Sequence, residues 1–191
     1  MVTTVQAHRN AILKAQEYLR ARPLYLDTET TGLNPLDEVV EICIVDHAGE
    51  ILLNSLVRPT RPIPPDVTRI HGITNQMVED APAWSELWPE VRRMLSGKQV
   101  GIYNAEFDLK MMQQSSRANR MLMDQTSWER FCLMRLYASF YGQVGYRGEF
   151  RWQRLEDAAR QCQISLQNTH RALDDTLLAR ALLEYMASQT P

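Results

Sequence analysis

The stretch Pro23–Pro35, PLYLDTETTGLNP, decides the fold. Its apolar run, Leu24-Tyr25-Leu26, gives way to alternating acids and then to Thr31-Gly32, with Pro35 beyond, which reads as a strand running into a turn. Side chains two apart on a strand share a face, so Asp27 and Glu29 point the same way at its exit. Two carboxylates held side by side repel unless positive charge lies between them. A hard, all-oxygen donor set with few histidines nearby suits Mg²⁺ or Mn²⁺ better than Zn²⁺. Taken alone, the pair reads more readily as ordinary turn acids, with the threonines capping backbone groups.

Two further segments carry the same chemistry. In KQVGIYNAEFDLKMM, Val100, Ile102 and Tyr103 read as a short strand and Ala105 onward as a helix, with Asn104 as its N-cap and Phe107 buried. Asp108 then falls in the first turn, where the helix dipole tolerates a carboxylate; by itself it does no more than complement that dipole. In NTHRALDDTLLARALLEYM, Asp175, Leu178, Leu182 and Tyr185 share one helical face, so Asp175 heads a buried stripe and needs a counter-charge. His170, at or before the first turn, is able to accept a proton near neutral pH, or else serves as a cap or surface residue. Asp174 faces solvent or steadies the turn.

The ordered set DTETTGL, RIHGIT, NAEFD and HRALDD resembles the DEDD exonucleases in their histidine variant, DEDDh, which include proofreading epsilon subunits and ribonuclease T. The resemblance spans Leu24 to Met186. It implies a ribonuclease-H-like α/β fold, a mixed five-stranded sheet flanked by helices. It carries the metal ligands onto Asp27, Glu29, Asp108 and Asp175, with two divalent ions, Mg²⁺ or Mn²⁺, and the general base onto His170. The implied activity is metal-dependent hydrolysis that releases nucleoside 5′-monophosphates from a 3′ end. Residues matching Thr30, Leu33, His71, Asn104 and Phe107 would contact the 3′-terminal nucleotide, Leu33 against the base. Structural readings stand beside these: Leu33 and Phe107 as core, His71 as the turn residue before Gly72. The chain departs from the common pattern at Tyr103, where many relatives have His, and at Cys132, often Asp; both bear on substrate preference.

Composition bounds the rest. A chain of 191 residues, 45% hydrophobic, can bury a sizeable core. No apolar run approaches the ~18 residues of a membrane span, and no signal-peptide core is seen at the N-terminus. Cys43, Cys132 and Cys162 have no metal-site spacing and read as reduced thiols of a cytoplasmic protein. The net charge of −2 argues against bulk nucleic-acid binding, but two divalent cations would bring it to +2 and concentrate that charge at the site. Of 21 basic residues 18 are arginines, which suits phosphate contact.

The expected organisation is an N-terminal helical extension, 1–22, and an exonuclease domain, 23–191. Val5, Ile12, Ala15 and Leu19 mark the buried side of the first helix, which packs on the back of the domain or serves a partner. Strands follow near 23–28, 39–46 and 50–57 as a meander, then a proline-rich passage, a helix over 84–96, strands near 99–103 and 129–133, and helices over 152–162 and 171–188. The glycine-, aromatic- and arginine-rich segment YGQVGYRGEFRWQR (141–154) reads either as a single-strand-binding surface or as a loop whose Phe150 and Trp152 enter the core. The expected partner is a nucleic acid with a free 3′ end, single-stranded DNA before RNA, together with a DNA polymerase or other replication or repair protein. RNA 3′-end trimming and a non-catalytic polymerase-accessory module are the alternatives.

Overall fold

A computed structural model describes residues 3–123, 127–166 and 169–191; Met1 and Val2 of the expected extension lie outside them. Strands β1 (Leu24–Thr30), β2 (Val39–Val45) and β3 (Ile51–Leu56) form the expected antiparallel meander. Strands β4 (Gln99–Ile102) and β5 (Glu129–Cys132) add in parallel on the other side of β1, giving the order β3-β2-β1-β4-β5. The mixed five-stranded sheet is therefore as expected. Because β1 and β4 run parallel, their carboxyl ends open at the same edge, where ligands of α/β sheets bind.

Strand alternation sorts the sheet into two cores. Leu24, Leu26, Ile42 and Ile44 face helices α4 (Trp84–Leu95) and α5 (Ala105–Ala118). On the other face, Tyr25, Cys43 and Val45 pack against α1 (Thr4–Arg20), α6 (Leu133–Tyr141), α7 (Leu155–Gln161) and α8 (Ala172–Ser188). Gly101 lets β4 sit between two rings: a Cβ there would fall 2.8 Å from Phe131 and 3.2 Å from Tyr25. Short helices α2 (Pro65–His71) and α3 (Asn75–Val78) fill the passage between β3 and α4.

Several expectations change. Helices α2, α3 and α6 were not legible as helices, since the first two are one or two turns long and α6 follows β5 directly at Leu133. The helix expected over 152–162 starts at Leu155, which leaves Trp152 in the preceding segment and 61% exposed instead of in the core. On α1, Ile12 and Ala15 are buried with Ala7 and Ala11, but Val5 is 80% exposed, because the buried stripe begins at Ala7. Asn104 occupies the N-cap position of α5 with no side-chain capping bond.

Helix α1 shares a core with α8, through Ala11, Ile12 and Ala15. Ile12→Ala should accordingly lower unfolding stability by about 2–5 kcal/mol, the usual cost of truncating a buried Ile, read from the midpoint of urea denaturation. A shift under a few tenths of a kcal/mol would mean that α1 is only loosely attached.

Candidate active site

The alternation that puts Tyr25 in the α8-side core puts Asp27 and Glu29 on the same face, at the end of β1. Across the ladder Asp27 stands opposite Cys43 and Glu29 opposite Glu41, so a third acid lies on this face. Glu41 is buried and paired. Arg171 grips it through Nε, 3.0 Å from Oε2, and through Nη2, and the backbone N–H of Ala172 donates to the same Oε2 at 3.0 Å. These bonds tie the first residue of α8 to the centre of β2. One turn into α8, Asp175 consequently meets β1, and carboxylate oxygens of Asp27, Glu29 and Asp175 lie within 4.8 Å of one another.

Asp108 arrives from the opposite layer. It is buried, and its Oδ1 accepts from the Thr28 N–H at 3.1 Å and the Thr28 hydroxyl at 2.8 Å. Asp108 is not one of the three acids whose oxygens lie within 4.8 Å of one another, but its charge acts on Asp27. The dipole-complement reading of Asp108 is thus too weak, since a specific bond to β1 holds it.

The cluster is electrostatically crowded. Burial, reinforced by Asp108, Asp175 and Glu29, pushes Asp27 well above the usual carboxylate range. Burial and then the charges of Asp175 and Glu41 push Glu29 up to about 9. Asp108 rises to about 7 by burial, against the opposing bonds from Thr28, and Asp175 to about 6 by burial, against the neighbouring His170. The buried Oδ1 of Asp175 accepts no hydrogen bond from the described residues. An orphaned carboxylate oxygen among mutually repelling acids, with no thiol and no buried cation in the trio, is the donor set of a hard divalent ion.

His170 takes a left-handed backbone conformation, φ 53°, at the turn into α8. It lines one cleft together with Asp175. A second cleft, of about 510 Å³, opens at Glu29 and is lined by Thr30, Leu33, His71 and Phe107, which brings together all but one of the expected nucleotide contacts. Asn104 lies in the cleft of His170 instead. Leu33 is 75% exposed, which rules out a core role, and Phe107 is half-buried in the cleft wall.

His71 closes this cleft's floor. The Ile73 N–H donates to its Nδ1 at 3.0 Å, so Nε2 carries the proton and donates to the Thr30 carbonyl at 3.2 Å. Burial holds its pKa below the usual histidine range, so it bridges α2 to β1 as a neutral ring. Gly72, at φ 75°, ends α2 and allows the chain to double back for that bond. The loop after β1 is braced by Asp37, which accepts from the Thr31 hydroxyl at 3.0 Å and the Asn34 N–H at 2.6 Å. Beside the site, Asp174 accepts from the Thr169 hydroxyl, so it steadies the turn. Tyr103 donates to the Gln153 carbonyl at 2.9 Å, and the Cys132 thiol bonds the Tyr103 carbonyl at 3.3 Å. Sequence reasoning missed Glu41 and Arg171. The signal available was an acid inside the apolar strand VVEICIV, which requires a buried partner.

A family model described as Exonuclease matches residues 24–183. The chain belongs to the DEDDh family of 3′–5′ exonucleases. It is 37% identical over 179 residues to an uncharacterised exonuclease of Escherichia phage 186, covering 91% of this chain and 92% of that protein. The DNA polymerase III epsilon subunit of Haemophilus influenzae is 35% identical over 101 residues, 48% of this chain and 40% of its own length. Among solved structures, exonuclease X in complex with 5′ overhanging duplex DNA superposes with a TM-score of 0.66 at 28% identity, over 87% of this chain and 92% of that one. Exonuclease I matches in fold, with a TM-score of 0.71 at 18% identity, over 88% of this chain and 41% of that one.

The carboxyl shifts carry a sign. Without metal, the native state holds protons that the unfolded chain has released at ordinary carboxyl pKa values near ~4, so stability falls as pH rises. For Glu29 the fall runs from 4.5 to about 9. In EDTA the melting temperature should decline over this window, and millimolar Mg²⁺ or Mn²⁺ should flatten the decline by binding the ionised cluster. A metal-free melting curve that is level or rising from pH 5 to 9 would contradict the crowding.

Proposed function

We propose that this enzyme removes nucleoside 5′-monophosphates one at a time from the 3′ end of DNA, acting on single-stranded or frayed ends. The observation that carries the reading is the junction of the carboxylate trio with a cleft of about 510 Å³ shaped for one terminal nucleotide. Asp27, Glu29 and Asp175 would hold two divalent ions, Mg²⁺ or Mn²⁺, with Asp108 alongside. When bound, the ions supply Lewis-acid charge to the scissile phosphate and its attacking water.

The chain's own residues supply position and proton transfer. Leu33 and Phe107 flank the terminal base, and Thr30 and His71 shape the floor beneath its sugar. Asn104 contacts the strand beside the phosphate. His170, next to Asp175 at the cleft mouth, accepts the proton of the attacking water as general base. Asp27 and Glu29, fixed by the β1 ladder, would hold the ions at the strand end, beside the place of the phosphate. The N-terminal segment 1–22 and the catalytic domain 23–191 act as one unit in this proposal, supported by the core shared between α1 and α8.

The preference for DNA rests on the likeness to exonuclease X solved with DNA and to polymerase III epsilon subunits. That likeness also favours a DNA polymerase or another replication or repair protein as partner. We place the enzyme in the cytoplasm, in keeping with its free cysteines Cys43, Cys132 and Cys162. Among the described residues no helix is long and apolar enough to cross a membrane.

His170→Asn leaves the carboxylates in place, so the metal-induced rise in melting temperature should persist while turnover falls roughly 10²–10⁴-fold. Loss of the thermal shift along with turnover would make His170 a ligand or a structural residue. A linear single strand should be degraded stepwise to mononucleotides in Mn²⁺, and a covalently closed circle should survive, because the cleft admits only an end. Cleavage of the circle, or RNA degraded faster than DNA of the same sequence, would overturn the corresponding part of this reading.

A further inference from the structure

The cleft that contains His170 is larger than one nucleotide contact requires. It measures about 640 Å³ and runs from Asp175 and His170 past Asn104 to Trp152, Arg154 and Leu155. Ile70, on α2 and 59% exposed, borders both this cleft and the one behind Glu29; Asp175 lines the first and Glu29 the second, with carboxylate oxygens within 4.8 Å of each other. A strand whose last nucleotide enters the first cleft has to continue from the scissile phosphate across this shared border.

At the far wall stands Trp152. Its backbone is pinned on both sides: the Arg151 N–H donates to the Gln143 carbonyl at 2.8 Å, and the Gln153 carbonyl accepts from Tyr103 at 2.9 Å. The indole nevertheless remains 61% exposed. The Arg135 guanidinium lies 5.9 Å from the ring centroid. Arg154 projects from the same wall, 82% of its side chain exposed, with a half-buried partner in Glu156 at 3.4 Å. Arg135 pairs likewise with exposed Glu106. Surface pairs of this kind bind weakly and exchange readily for a phosphate. An exposed aromatic face on an anchored backbone, flanked by exchangeable arginines, matches the chemistry of single-stranded nucleic acid, in which bases stack and phosphates seek cations. The antiparallel bridge Val144–Phe150 extends this wall into an arm bearing Tyr146 and Arg147, both exposed.

We propose that Trp152, with Arg135 and Arg154, forms a second subsite that stacks a base of the single-stranded DNA on the 5′ side of the scissile phosphate. This deepens the proposed function and rests on it. The subsite makes Trp152 a specificity-determining residue: it holds the strand between cuts and takes no part in proton transfer. Binding should tighten as nucleotides are added 5′ of the cut, until the strand reaches the indole.

The experiment compares two substrates in the intact chain with Mn²⁺. Thymidine 5′-monophosphate p-nitrophenyl ester fills the first cleft and has no 5′ strand; oligothymidylates of two to eight nucleotides add one. Trp152→Ala should raise KM for the longer strands about tenfold, in line with the loss of one stacked base, and erase the dependence of KM on length. Hydrolysis of the ester should stay within twofold of wild type, which also reports an intact fold. Trp152→Phe should restore most of the length dependence. If wild type shows the length dependence and Trp152→Ala retains it, or if the variant loses ester hydrolysis equally, the subsite is refuted while the exonuclease reading stands. If wild type cleaves neither substrate, the proposed function itself has failed, and the subsite with it.

Discussion

Three carboxylates whose oxygens lie within 4.8 Å are the constraint around which this fold is organised. In water such a group would disperse. Here each acid is carried on a regular element whose other residues are committed to a core, so the backbone has no freedom to relieve the repulsion. Burial raises the proton affinity of all three, and the orphaned Oδ1 of Asp175 shows that the chain supplies no internal donor for it among the described residues. The stability lost to this crowding is of the kind a bound cation would restore, which is why the proposed function places the ions here.

The Glu41–Arg171 pair reconciles this crowding with a fixed geometry. Glu41 stands opposite Glu29 on the sheet and would add a fourth charge to the face. By engaging Arg171 and the Ala172 N–H, it becomes the anchor for α8 and draws Asp175 into place. An ion pair of this type contributes little net energy compared with a well-packed apolar pair, but breaking one side leaves a buried charge, so it specifies one register of helix on sheet. His170 is the residue just before Arg171, so the same bond limits where the imidazole can sit.

Two layers converge on the carboxyl end of β1. From the α8 side come Asp175 and His170; from the α5 side comes Asp108, linked to Thr28. The neutral His71 ring supplies a third strut from α2 to Thr30. The two clefts are the gaps left between these struts, one behind Glu29 and one beside Asp175, and their shared border at Ile70 follows from α2 lying across the strand end.

Much of this was legible in the chain itself. Period-two alternation put Asp27 and Glu29 on one face, helical spacing put Asp175 at the head of the α8 stripe, and the ordered motifs named the sheet, the acids and His170. The shared face and the helical stripe are local facts, set by the pleat and the helical repeat, and the structure keeps them; the roles of the acids and of His170 rest on the family resemblance. Other features depended on contacts between distant segments. Glu41 needed Arg171, 130 residues away, to become an anchor. Asp108 needed Thr28 to become more than a dipole complement, and Leu33 needed the β1 loop to project it into solvent. Short helices such as α2 and α3 escaped detection because one or two turns carry too little periodicity to register, and their stability comes from packing. Trp152 was ambiguous in sequence because an aromatic among glycines and arginines suits a core or a surface equally. Its position was decided by the start of α7 at Leu155 and the bond from Tyr103, which only the folded chain brings together.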